Sequence, residues 1–128
     1  MIVPHFIRVK SYEGTQSVGE AGVKIYDMDM DWIKGANILV IDDIYDTGST
    51  IRKLETAIKV HEPESLRFGM IFHKKNPVNL KVGFWPDFVG FYIPNVFVIG
   101  YGMDYDEYVR DIPHLCVISQ ACIDKYSK

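Results

Sequence analysis

Ile38-Leu39-Val40-Ile41-Asp42-Asp43-Ile44-Tyr45-Asp46-Thr47-Gly48-Ser49-Thr50 runs four apolar residues into a carboxylate pair, a further carboxylate and a small hydroxyl-rich turn. The apolar run 38–41 is too short for a helix and predicts a strand buried on both faces, as in a parallel sheet. Beyond the turn, Ile51, Leu54, Ala57 and Ile58 recur at helical spacing, while Arg52, Lys53, Glu55 and Lys59 fall on the opposite side. That pattern predicts an amphipathic helix over 50–61, closed by Glu62-Pro63-Glu64. Residues 66–72 read as the next strand. Strand, helix, strand implies a crossover connection and a parallel α/β sheet.

On the N-terminal side, loose alternation predicts a strand over 5–10, and 11–22 is Ser-, Gly- and Thr-rich and reads as a mobile loop. A short strand over 23–26 and an acidic turn over 27–35 follow. On the C-terminal side, 73–86 is a basic, Pro-containing loop. Aromatic-rich strands over 87–93 and 96–100 flank Pro94-Asn95. Residues 101–111 predict a loop with one helical turn, 115–118 a last strand, and the remainder a short tail. The 128 residues suit a single α/β domain over 1–128.

Composition removes several classes of function. A formal charge of −3 gives no long-range attraction to nucleic acid or an anionic membrane. No apolar run approaches the roughly 18 residues that span a bilayer, and Met1-Ile2-Val3-Pro4-His5 does not read as a secretory signal. Cys116 and Cys122 lack the spacing of a zinc site or a disulfide scaffold, so reduced thiols and a cytoplasmic location are expected.

The chemistry concentrates where the strand of 38–41 meets the helix. The first amides of a helix lack internal partners and carry partial positive charge. Gly48 lets backbone approach an anion, and the hydroxyls of Thr47, Ser49 and Thr50 add donors, so the turn suits a phosphate monoester. Simple capping by Thr47 or Ser49 explains the same residues. Asp42 and Asp43 stand at the carboxyl edge of the sheet, where ligands of open α/β sheets bind. Two adjacent carboxylates repel unless sugar hydroxyls or Mg²⁺ intervene. With sugar and phosphate in those places, Asp46 faces a base and can exchange a proton with a ring nitrogen. The Thr-Gly-Ser-Thr turn, and the lack of an acidic pair before the strand, argue against a phosphoacceptor receiver domain.

The stretch from Val40 to Thr50 resembles the phosphoribosyl-pyrophosphate-binding loop of type I phosphoribosyltransferases. Pro86-Asp87-Phe88-Val89-Gly90-Phe91-Tyr92-Ile93-Pro94, the segment from Phe97 to Asp111, and Phe6-Ile7-Arg8-Val9-Lys10-Ser11-Tyr12 resemble the hypoxanthine-guanine branch of that family. The segments occur in family order from about Phe6 to the C-terminus. The resemblance implies a type I phosphoribosyltransferase fold, a parallel sheet with flanking helices. It also implies transfer of 5-phosphoribosyl from phosphoribosyl pyrophosphate to hypoxanthine or guanine, giving IMP or GMP plus pyrophosphate, with Mg²⁺.

Carried onto this chain, the resemblance assigns Asp42 and Asp43 to the ribose hydroxyls, directly or through Mg²⁺. Asp46 becomes the acid/base group at purine N7, and Asp46, Thr47, Gly48, Ser49 and Thr50 cradle the 5′-phosphate. Lys74 donates to the purine 6-oxygen, with Lys75 the choice if the register slips. Phe97 stacks on the purine and the Val98 backbone reads its edge. Asp104 joins the purine site and binds Mg²⁺, Arg110 meets pyrophosphate, and Ser11 and Tyr12 lie on a closing loop. Dimers or tetramers are expected. Taken singly, Phe97 reads as core, Arg110 as surface, and Lys74 and Lys75 as a solvated loop. His5, His61, His73 and His114 carry no assigned chemistry. The chain departs from the family in having Asp42 where Glu is frequent, Ser49 in a variable slot, Val96 where lysine is common, and two extra residues between Lys74 and Phe97. The resemblance covers roughly the C-terminal 60 % of the family's length. The expected sheet is therefore incomplete at its N-terminal side, with apolar surface and a strand edge uncovered. A truncated or non-catalytic nucleotide-binding relative is the alternative.

Overall fold

The computed structural model describes residues 1–11, 23–26 and 30–126. The expected loop over 12–22, with Tyr12, lies outside the described residues. Two compact units, Met1–Ile93 and Pro94–Lys128, are described in turn.

The first unit is built on three parallel strands. β1 (Arg8–Ser11) and β2 (Val23–Tyr26) form a separate antiparallel pair, and β3 (Asn37–Tyr45), β4 (Ser65–Lys74) and β5 (Phe88–Ile93) form the parallel sheet in the order β3-β4-β5. A one-turn 3₁₀ helix spans Asp31–Ile33. α1 (Ser49–Lys59) joins β3 to β4, and the four-residue α2 (Asn79–Val82) lies in the β4–β5 connection. Ile51, Leu54 and Ile58, the predicted apolar stripe, are the buried residues of α1. Each contributes roughly 1.5–3 kcal/mol on leaving water. Ile51 packs in a cluster with Tyr45, Phe68, Met70 and Phe84, and Leu54 and Ile58 pack with Ile33.

The strand of 38–41 is not buried on both faces. Leu39 is 53 % and Ile41 68 % exposed, whereas Ile38 and Val40 pack against the core clusters. α1 covers the Ile38/Val40 side, and among the described residues nothing buries the other. Ile41, Gly69 and Phe88 are ladder neighbours across the three strands, so an apolar strip lies open there. β3 also runs further than the apolar stretch predicts. Its ladder with β4 continues through Ile44↔Phe72 and Tyr45↔His73, which places Asp42 and Asp43 within the strand.

In the second unit, β6 (Val98–Ile99) pairs antiparallel with β7 (Cys116–Val117). The predicted helical turn in 101–111 is absent. Bridges Gly100↔Met103 and Tyr105↔Tyr108 fold the segment into consecutive tight turns, with Tyr101, Asp106, Glu107 and Val109 at positive φ. The predicted tail instead carries α3 (Gln120–Tyr126), whose Tyr126 stacks on Tyr108 at 4.6 Å. Both cysteines are free thiols.

Candidate active site

Three elements of the first unit converge at the C-terminal ends of β3 and β4. Asp46 follows β3 directly. Its Oδ2 accepts from Lys74 Nζ at 2.8 Å, and its Oδ1 accepts from Asn76 Nδ2 at 2.9 Å. The buried Asn79 amide donates to the Asp46 carbonyl at 3.1 Å and to the Lys74 carbonyl at 2.8 Å, tying the two strand ends together. Lys74 ends β4 rather than lying in a solvated loop, and only 6 % of it is exposed. Lys75 is exposed, and of the two it is Lys74 that meets Asp46.

Partial burial works to raise the Asp46 pKa, but hydrogen bonds from Lys74 and Asn76 and the Lys74 charge outweigh it and hold the carboxyl below its ordinary value. Asp46 is therefore a carboxylate at neutral pH, equipped to accept a proton or a hydrogen bond. As far as the titration of Asp46 itself is concerned, the ion pair's contribution to stability is complete above the ordinary aspartate value of 3.8 and is lost as pH falls through the lowered folded value. In urea titrations at stepped pH, the wild-type midpoint is expected to fall relative to Lys74→Met below that range. Parallel curves would contradict the coupling.

The turn after Asp46 is shaped by Gly48, whose φ of 83° is left-handed and which precedes the first residue of α1. No side chain caps this helix, so the capping explanation for Thr47 and Ser49 is not borne out; the Ser49 N–H makes only a 3.4 Å contact with Thr47 Oγ1. Thr47, Ser49 and Thr50 are exposed, leaving their hydroxyls accessible to an anion at the start of α1. Beneath the turn Tyr45 is almost wholly buried, and its hydroxyl donates to the Phe84 carbonyl at 2.8 Å.

Asp42 and Asp43 are exposed near the end of β3, four and three residues before Asp46. The Asp43 N–H donates to Asp42 Oδ1 at 3.0 Å. Protein packed around the strand end pushes the Asp42 carboxyl above its ordinary value. The Asp43 N–H works against that rise, and the Asp43 negative charge adds to it. The side chain stays open at its surface, so the shift describes crowding at the strand end rather than enclosure.

In the second unit, Phe97 is 49 % exposed and meets Tyr105 edge-on at 5.6 Å, so it is not the core residue that its type alone suggests. Val98 is buried in β6. Asp104 and Arg110 form one contact network. Arg110 Nη2 lies 2.9 Å from Asp104 Oδ1, Arg110 Nη1 donates to the Gly102 carbonyl at 2.8 Å, and the Glu107 N–H donates to Asp104 Oδ2 at 2.7 Å. Ser11 ends β1.

Sequence reading missed Asn76 and Asn79. A side-chain amide reaching back some 30 positions leaves no periodic signal, and an Asn beside a Pro reads first as a turn former.

Residues 3–106 match the phosphoribosyl transferase domain, and the chain belongs to that family. It is 45 % identical over 121 residues to the hypoxanthine-guanine phosphoribosyltransferase of Bos taurus and 43 % identical over 121 residues to those of Homo sapiens and Mus musculus. These alignments take in 94 % of the chain and 54 % of each relative, so the chain spans about half the length of the curated relatives it matches. Among the described residues no helix is long and apolar enough to cross a membrane.

Proposed function

We propose that the chain carries the phosphoribosyl and purine site of a hypoxanthine-guanine phosphoribosyltransferase of purine salvage. The reaction joins a 6-oxopurine to phosphoribosyl pyrophosphate, giving IMP or GMP and releasing pyrophosphate. The observation that carries this reading is the Asp46–Lys74 pair, two residues 28 positions apart held at 2.8 Å beside an open helix N-terminus. One Lys74 ammonium has three donors, so it can hold Asp46 and still offer a hydrogen to a purine 6-oxygen. A 6-amino group in that place would present hydrogens of its own, which favours oxopurines. The ionised Asp46 suits a role as base or acceptor at the imidazole edge of the purine. Thr47, Gly48, Ser49 and Thr50 suit the 5′-phosphate, and carboxylates near the sugar stabilise an oxocarbenium-like transition state.

Mg²⁺ fits the residues present. It commonly binds through one or two carboxylates plus substrate phosphates and water rather than through an all-protein cage. The adjacent, mutually repelling Asp42 and Asp43 supply such carboxylates, and no cluster of three or more His, Cys, Asp or Glu ligands occurs among the described residues. Bound there, the metal would neutralise charge on the pyrophosphate oxygens. Asp104 is assigned to the metal and the purine, Arg110 to pyrophosphate, and Ser11 with Tyr12 to a closing loop. The family match spans most of the first compact unit and enters the second as far as residue 106, which supports reading 1–128 as a single domain. A homo-oligomer in the cytoplasm completes the reading.

The direct test incubates the folded chain with hypoxanthine or guanine, phosphoribosyl pyrophosphate and Mg²⁺, and measures IMP or GMP. Product supports the assignment. Saturable GMP binding without product would instead support a binding-only relative. For Phe97, base stacking is worth roughly 1–3 kcal/mol, so Phe97→Ala is expected to raise the GMP dissociation constant about 5- to 150-fold in calorimetry. Unchanged binding would remove Phe97 from the site.

A further inference from the structure

His73 is a buried, titratable side chain beside the candidate site that the proposed reaction does not use. It is 2 % exposed, and neither ring nitrogen has a hydrogen-bond partner. Three aromatic rings enclose it. Trp85, from the β4–β5 connection, stacks on it at 5.3 Å with planes 2° apart; Tyr45 of β3 lies at 4.8 Å and Tyr92 of β5 at 5.1 Å. Tyr45 and Tyr92 are also its ladder partners in the sheet. The next residue along β4 is Lys74, and the next after Tyr45 is Asp46, so this aromatic cage sits one rung below the ion pair.

A phenyl ring would pack among the same three rings without burying two unpaired nitrogens, and on stability alone it would be the better residue. What an imidazole adds is the capacity to take a proton between about pH 5 and 8. Among the described residues no carboxylate is hydrogen-bonded to either ring nitrogen. The titratable side chains packed on the ring are the phenols of Tyr45 and Tyr92, and Tyr45 already spends its hydroxyl on the Phe84 carbonyl. Attraction to the Trp85 face offsets only part of the lost hydration of a cation. Burial accordingly pushes the imidazole below its ordinary value, while the backbone at His73 and Lys74 works weakly the other way. Its neutral form is therefore fully stabilising above the ordinary histidine value of 6.5, and stability is lost as pH falls below that value toward the lowered folded one.

We propose that His73 is a positioning residue acting as a proton-operated latch: neutral, it is clamped by Tyr45, Trp85 and Tyr92 and holds the end of β4 where Lys74 meets Asp46; protonated, it leaves the cage and releases Lys74. The latch acts on the chain's own ion pair and holds whatever reaction the site performs.

The test follows three NMR signals of the chain against pH: the His73 ring carbons, the Lys74 side-chain ammonium and the Asp46 carboxyl carbon. In the wild type, the Lys74 and Asp46 signals of the intact pair are expected to disappear together with His73 protonation. In His73→Phe they are expected to persist to lower pH, until Asp46 itself protonates, and the melting temperature is expected to rise. Loss of the pair at the same pH in both proteins overturns the proposal, as does titration of His73 with no change at Lys74. Trp85→Ala, at a half-exposed position, provides a second variant if His73→Phe does not fold. It uncovers the imidazole, so His73 titration and loss of the Lys74 signal are expected to shift together to higher pH; a shift of one without the other also overturns the latch.

Discussion

For the proposed reaction, Asp46→Asn is expected to lower IMP and GMP formation by roughly 10²–10⁴-fold, the usual contribution of a positioned acid/base group. The substitution conserves size and keeps an acceptor for Asn76, but it removes the charge that Lys74 meets at 2.8 Å. Two losses then coincide. The amide cannot take a proton from the purine, and the nearly buried ammonium loses its counter-charge. Urea unfolding of the same variant separates the two. A rate loss far larger than the stability change assigns the effect to chemistry. An unchanged rate would reject Asp46 as the acid/base group and leave the pair a structural tie between β3 and β4.

Gly48→Ala carries the largest expected cost to the fold. At φ of 83° an L-residue is strained, and the added Cβ would run into the Tyr45 ring, 2.7 Å from Cζ and closer still to the hydroxyl oxygen. Tyr45 cannot swing away cheaply, because it is buried among Ile51, Phe68, Met70 and Phe84 and bonded to the Phe84 carbonyl. Left-handed strain and overpacking together amount to about 2–5 kcal/mol, which for a chain of this size lowers the melting temperature on the order of 10 °C. A melting temperature within a degree of wild type would show that the turn has room the geometry denies. Partial recovery in the double variant Gly48→Ala/Tyr45→Phe would locate the clash at the phenol oxygen.

Local patterns carried most of the architecture. The stripe of Ile51, Leu54 and Ile58 announced α1, and alternating strand and helix signals announced a parallel sheet, because burial on one face imposes a period that can be counted along the chain. The same counting failed where burial is supplied from elsewhere. Leu39 and Ile41 are as apolar as Ile38 and Val40, yet they are exposed because α1 covers only one side of the sheet. It failed again over 101–111, where left-handed residues such as Val109 replace the expected helical turn. That conformation is held by bonds across the segment such as Tyr101 N–H to the Ile112 carbonyl at 2.8 Å, which no local preference predicts.

By itself the sequence determined the identity of the groups at the site: an acid pair, a phosphate-sized turn, Asp46, and a lysine at one of two adjacent positions. Residue type and short-range order suffice for that, since a Gly-hydroxyl turn after a strand has few uses. Only the tertiary structure decided that Lys74 rather than Lys75 reaches Asp46, that Asn76 and Asn79 complete the clasp, and that a histidine given no chemistry lies sealed among three rings beside it. These are contacts between residues about 30 positions apart or on different strands. The parallel register of β3, β4 and β5 sets them, and no local pattern encodes that register.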